Sequence, residues 1–290
     1  MRITANQVKI ALVLLPSAVV ALYFIWGFAA YTMFLSMTKS TFLPSHEFIG
    51  LKNFQMLFEE HRWWVAYSNM FIFGFLYLMG CICLGIFLAI LLDRLTKGEA
   101  LFRTIFLYPM SLSLIITGLA WQWILNPTSG IQYLVRGVGY ENFKFNWLVS
   151  VDYAIYTVAF AAIWNGSGII MILFLAGIKS TDEEIWAAAK IDNIPIWRVY
   201  FNIILPQLRA TFLTAIMLLG FQVVRSFDVV VALTNGGPGY ASDVPARYVF
   251  EYFFTRGQIG QGAAGAVVMV LTMIIIIVPY LVFEINRSKK

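Results

Sequence analysis

Six stretches of the chain carry apolar residues almost without interruption, at 10–37, 65–92, 104–125, 153–178, 210–233 and 263–283. Each holds at least about 18 residues and few charges, the pattern of a helix that crosses a bilayer with about 20 residues. Short polar segments separate them. The pattern therefore predicts an all-α polytopic membrane protein with six transmembrane helices, folded as a single domain over 1–290. The first run follows Arg2 and Lys9 but far exceeds the apolar core of a signal peptide, so it is expected to persist as a helix.

Composition reinforces this reading. Hydrophobic residues make up 60% of the chain and charged residues 12%, where soluble domains hold roughly a quarter charged. That excludes a soluble globule and leaves no room for a separate soluble catalytic domain. Cys81 and Cys83 lie in one apolar run, two apart, without metal or redox spacing. They read as packing residues. His46 and His61 stand alone in one polar segment and read as surface residues.

The basic excess bears on topology. One alternate set of polar segments holds Arg2, Lys9, Arg94, Lys97, Arg103, Lys179, Lys190, Arg198, Arg209, Arg287, Lys289 and Lys290. The other holds only Lys39, Lys52, Arg62, Arg136, Lys144, Arg247 and Arg256. Both termini are therefore expected in the cytoplasm, together with the segment 180–209 between the fourth and fifth spans. In a chain this apolar, the positive charge points to the membrane rather than to nucleic acid.

That segment has its own helical pattern. Ser180 with Glu183 and Thr181 with Glu184 have capping-box spacing, and the acidic cluster suits a helix N-terminus. Asn193 tolerates the left-handed conformation that ends a helix, and Pro195 fits the first turn of the next. The expectation is a short helix at 183–194, a turn, and an amphipathic stretch carrying Trp197, Tyr200, Phe201 and Ile204. Ala187, Ala188 and Ala189 make the first helix smooth, either from helix propensity alone or to enter a partner's groove.

With Asp192, Ile203 and Leu205-Pro206, this stretch resembles the EAA loop of permease subunits in binding-protein-dependent ATP-binding-cassette importers. Gly50-Leu51-Lys52-Asn53-Phe54, Thr234-Asn235-Gly236-Gly237-Pro238 and the six-span layout are similar to the carbohydrate-uptake branch, maltose type. The resemblance implies that the helix at 183–194 is a coupling helix docking on an ATPase subunit, through Glu184, Ala187, Ala188, Ala189, Asp192 and Asn193. The family's opening glutamate falls here at Ala187, and its glycine after the aspartate at Asn193. Glu184, three residues earlier on the same face, is the candidate replacement for the carboxylate.

The resemblance further implies a second permease subunit as heterodimer partner, two copies of an ATP-binding subunit, a periplasmic sugar-binding protein and residence in a bacterial inner membrane, among lipid. The chain has no G-x-x-x-x-G-K-[ST] phosphate loop. ATP and Mg are thus expected on the partner ATPase, with no cofactor, catalytic residue or metal in this chain.

Polar groups within the spans mark a candidate sugar pathway. In the fourth, Trp164-Asn165-Gly166-Ser167-Gly168 reads either as a Gly-interrupted substrate site, with Trp164, Asn165 and Ser167 facing sugar, or as close helix packing. In the fifth, Gln222, Arg225 and Ser226 would share one helical face. Arg225 would lie about 12 Å from the span's end, and Asp228 would be in reach of it as either an ion pair or a second substrate contact. Trp121-Gln122-Trp123 reads as an aromatic belt and the glycines from Gly260 to Gly265 as helix packing. Arg225 and Asp228 would also suit a secondary carrier driven by an ion gradient, but that class leaves the EAA-like loop unexplained. A membrane enzyme would need a constellation that the chain lacks.

Overall fold

The computed structural model describes residues 5–288, with side-chain environments from 13 to 275. Arg2, Lys289 and Lys290, counted above for orientation, lie outside the described residues, as do the side chains of Lys9 and Arg287. Helices account for the regular structure; among the described residues, the antiparallel pairing of Thr38 with Phe48 is a lone bridge. Three helices are long and apolar enough to cross a membrane, Val13–Ser36, His61–Arg94 and Ala154–Lys179. Two further helix pairs, Glu99–Ser111 with Leu114–Ile124 and Ile196–Gln207 with Arg209–Val224, reach that length only together and are bent by 96° and 73°, and the sixth run lies in the helix Ile259–Ser288, beyond Ile275 outside the described side chains. The chain resolves into two compact units, 1–63 with 248–290, and 64–247.

In the first unit, α1 (Ala5–Ala21) continues through a π-helical turn at Leu22–Gly27 into α2 (Phe28–Ser36). α2 and the short α3 (Lys52–Glu59) both lie against α15 (Ile259–Ser288). Gly50, at φ 64, turns the chain into α3. Asn53 is buried and its amide donates to the carbonyls of Ser36, at 2.9 Å, and Thr38, at 2.8 Å. It thereby satisfies free carbonyls at the end of α2. Gly260 passes so close that a Cβ would sit 2.7 Å from the Thr38 oxygen, which gives the small residues of this helix their packing role.

The second unit is built around α8 (Ala154–Lys179), which buries both glycines of its central motif. Around it lie the greater part of α4 (His61–Arg94), α5 (Glu99–Ser111), α6 (Leu114–Ile124), α12 (Arg209–Val224) and α13 (Phe227–Leu233). Short α7 (Ile131–Gly137), α9 (Glu183–Ile191), α10 (Ile196–Arg198) and α11 (Leu205–Gln207) are connectors, and α14 (Pro245–Phe250) follows the turn after α13.

Where the apolar runs predicted continuous spans, two are broken. The run at 104–125 divides into α5 and α6, which meet at 96°. Pro109 sits near the end of α5, and Ser113 starts α6 by accepting from the Ile116 N–H at 3.3 Å. The run at 210–233 divides at Arg225 and Ser226, between α12 and α13. The fourth run, where Gly166 and Gly168 suggested an interruption, is one unbroken helix.

Candidate functional site

Helix α9 presents two distinct faces. Ile185, Trp186 and Ala189 turn inward, with Ala189 buried. Glu184, Ala187, Ala188 and Ile191, at i, i+3, i+4 and i+7, form a single exposed stripe, and Ile191 is 83% exposed. Exposed Asp192 closes the helix. Asn193 stands at φ 53 and its N–H meets the Lys190 carbonyl, while the Ile194 N–H meets that of Ala189 at 3.0 Å. This is a Schellman end, with Asn193 in the place a glycine commonly takes. At the start of the helix the expected capping boxes are not formed. Asp182 is the N-cap and makes no side-chain cap bond, and the Ser180 hydroxyl donates backwards to the Gly177 carbonyl at 2.8 Å. The chain leaves α8 by its own last turn, so Ser180 is occupied before α9 begins.

The inward face of α9 rests on a firm base. Trp186 meets Tyr200 edge-on, with ring centres 5.3 Å apart. Tyr200, in the π-helical stretch Val199–Ile204, is buried, and its hydroxyl donates to Asp93 Oδ2 near the end of α4. Lys179 pairs with Glu99 at 2.6 Å, and Arg103 shares the same carboxylate.

The pathway candidates separate into buried and exposed groups. Asn165 and Ser167 are buried. The Asn165 amide donates to the Pro109 carbonyl at 2.7 Å and to Thr117 Oγ1 at 3.0 Å, and so ties together the two sides of the α5–α6 bend. Trp164 is exposed, at 37%, and meets Trp121 edge-on at 5.8 Å, as Phe160 also does at 5.0 Å. Trp121 is partly buried against the core and meets two exposed rings, while Trp123 is exposed.

In α12, Gln222 accepts a 2.8 Å hydrogen bond from the Tyr77 hydroxyl of α4. The break after Val224 takes Arg225 and Ser226 off the helical face expected for them; Arg225 is exposed and Ser226 buried. Among the described residues neither Arg225 nor Asp228 enters an ion pair, so the pairing allowed by their spacing is not made.

Tyr77 is the residue that sequence reasoning missed. A Cβ on Gly166 would lie 2.4 Å from its hydroxyl, so one phenol fills the space above Gly166 while holding Gln222. It links the polar motifs of the fourth and fifth runs. Its signal was a phenol in an apolar run, which needs a partner when buried.

The first unit has a separate polar cluster. Tyr248 and Tyr252 stack at 4.2 Å, and both hydroxyls donate to Glu60 at 2.5 Å, with the Gln261 amide donating to the same carboxylate at 3.0 Å. Burial, and next the hydrogen bond to Glu60, push the Tyr252 phenol up from 10.0 to about 12 and the Tyr248 phenol up as well. Nearby, Arg62 is buried in a two-pronged pair with Glu251, at 2.7 and 2.6 Å.

Residues 81–285 match the family described as binding-protein-dependent transport system inner membrane component. A probable ABC transporter permease protein of Pyrococcus horikoshii is 32% identical over 292 residues, covering 100% of both chains. The xylose/arabinose import permease protein XacH of Haloferax volcanii is 30% identical over 268 residues, covering 91% of this chain and 84% of its own. The fold is similar to a chain in the structure of a bacterial alginate ABC transporter in complex with alginate pentasaccharide-bound periplasmic protein. The TM-score is 0.83 and the identity 19%, over 94% of this chain and 92% of that one.

Proposed function

Since this chain belongs to the family of binding-protein-dependent transport system inner membrane components, we propose that it is the membrane-spanning permease subunit of an ATP-driven sugar importer. Relatives named for xylose and arabinose, trehalose and maltose, diacetylchitobiose and glucose support sugar as the cargo. The observation that carries the coupling assignment is the exposed stripe of Glu184, Ala187, Ala188 and Ile191 on a helix seated on Trp186, Ala189 and Tyr200. Small side chains flanked by one carboxylate and one aliphatic residue suit insertion into a groove on a separate ATPase, of which two copies are expected. ATP and Mg reside there, and this chain contributes no cofactor. The distribution of basic residues supports a cytoplasmic position for both termini and α9 at the inner membrane.

Transport then follows alternating access. ATP closes the partner dimer, α9 moves with it, and the spans exchange inward-open for outward-open arrangements that receive sugar from a periplasmic binding protein. Gln222, Arg225, Ser226 and Asp228, with Trp164, are assigned to the sugar pathway, shared with a second permease subunit. Asn165 and Ser167 shape that pathway from behind. The turn at Arg225–Ser226, which divides α12 from α13 beside polar side chains, is the kind of irregularity that membranes tolerate along a cavity. An ion-driven carrier finds no support: Arg225 and Asp228 do not pair, and the family match is to importer components.

The test is Ala188→Trp, which adds bulk to the exposed stripe without entering the core. The expected result is loss of ATPase co-purification with the chain still inserted in the membrane. An undiminished, ATP-coupled complex would contradict the assignment.

A further inference from the structure

Both ends of the loop that carries α9 are fixed to the same short segment, 93–99, which joins α4 to α5. Lys179, the last residue of α8, pairs with Glu99, and beyond α9 the Tyr200 hydroxyl donates to Asp93 Oδ2 at 2.5 Å. The two anchors differ in character. The side chains of Lys179 and Glu99 are 43% and 26% exposed, so water and salt weaken their attraction. Tyr200 is 2% exposed and its hydroxyl donates to a part-buried carboxylate, a charge-assisted bond less open to water than the lysine pair. Trp186 leans on the same ring, so α9 reaches Asp93 through two side chains. The polypeptide itself connects this loop only to α8 and, through α10 and α11, to α12.

We propose that the Tyr200–Asp93 bond is a positioning contact of the transport cycle, making the segment 93–99 travel with α9 as one piece. A displacement of α9 then reaches α4 and α5 directly, and so the Tyr77–Gln222 contact and the α5–α6 bend, in addition to the two spans that the loop joins covalently. This inference rests on the importer reading. Tyr200 and Asp93 touch neither sugar nor nucleotide.

The experiment uses the purified complex in lipid nanodiscs, with Cys81→Ala and Cys83→Ala removing native thiols and spin labels at Lys97→Cys and Arg198→Cys. Both labelled positions are exposed. Distances are measured without nucleotide and after trapping with ATP, Mg and vanadate. The expected result is one unchanged distance in both states. In Tyr200→Phe, which keeps the ring against Trp186, the distance shifts on trapping, and nucleotide-driven movement of α4 falls while ATP hydrolysis continues. Asp93→Asn, which keeps an acceptor but removes its charge, gives an intermediate shift and serves as a second variant. A distance that changes on trapping in the parent complex overturns the proposal, as does a Tyr200→Phe complex as constant as its parent. A preparation that hydrolyses no ATP overturns the importer reading itself, and the coupling role with it.

Discussion

The Asn165 side-chain amide donates to the Pro109 carbonyl across 2.7 Å, at the end of α5 where the Leu112 N–H donates to the same oxygen at 3.2 Å. A second donation to Thr117, beyond the bend, makes Asn165 the pin of the 96° corner. Removing it deletes two buried hydrogen bonds, a cost of about 1–3 kcal/mol. Asn165→Ala is expected to lower the apparent melting temperature of the detergent-solubilised chain and to reduce uptake. An unchanged melting temperature would show that the corner holds without its pin.

Three glycines rank by what surrounds them. A Cβ at Gly168 would meet the Phe106 backbone oxygen at 2.6 Å, and one at Gly166 the hydroxyl of buried Tyr77 at 2.4 Å, whereas Gly220 has nothing within 4 Å. Gly168→Ala forces helices apart and is expected to cost about 1–3 kcal/mol. Gly166→Ala pushes Tyr77 from Gln222 and should cost less in stability, with its effect on uptake absent in a Tyr77→Phe background. Gly220→Ala is expected to be neutral or to stabilise α12 by up to about 1 kcal/mol. Thermal unfolding of the three variants checks the order.

The tyrosines around Glu60 set an alkaline limit. Tyr252 keeps its proton to about 12, and Tyr248 also titrates above 10.0, so folding favours the protonated phenols. Their contribution is complete below pH 10; that of Tyr252 is lost as the pH rises from 10 through 12, and that of Tyr248 starts to fall above 10. Thermal stability is expected to decline over that window. In Glu60→Gln the near-ultraviolet titration of Tyr252 should move down toward 10.0. A titration unaffected by this substitution would contradict the assigned cause.

Neighbouring alanines on α9 should fail in different ways. Ala188 is exposed and Ala189 is 5% exposed against the base of the helix. Ala189→Trp overpacks that base and is expected to destabilise the chain itself. Ala188→Trp should leave the melting temperature unchanged while uptake is lost. Equal melting temperatures for both variants would contradict the assigned faces.

The apolar runs were legible because a hydrocarbon layer demands length and apolarity, which single residues cannot disguise. The end of α9 was legible for a local reason, since Asn193 takes the left-handed turn that its type allows. The breaks were not legible. The corner between α5 and α6 is held by Asn165, about fifty residues away in sequence, and no periodicity reports such a bond. The motif at Trp164–Gly168 drew attention to glycines that turned out to admit Tyr77 and α5 closely rather than to interrupt the helix. Tyr77 itself lies in an apolar run, where its hydroxyl gains meaning only from the Gln222 opposite.

The most direct test of the importer reading is affinity purification of this chain at native expression in mild detergent. Co-purifying proteins are identified by mass spectrometry, and ATPase activity is assayed on the eluate. The account predicts a second permease subunit, an ATP-binding subunit and measurable hydrolysis. A chain recovered alone, with no ATPase activity, would contradict it.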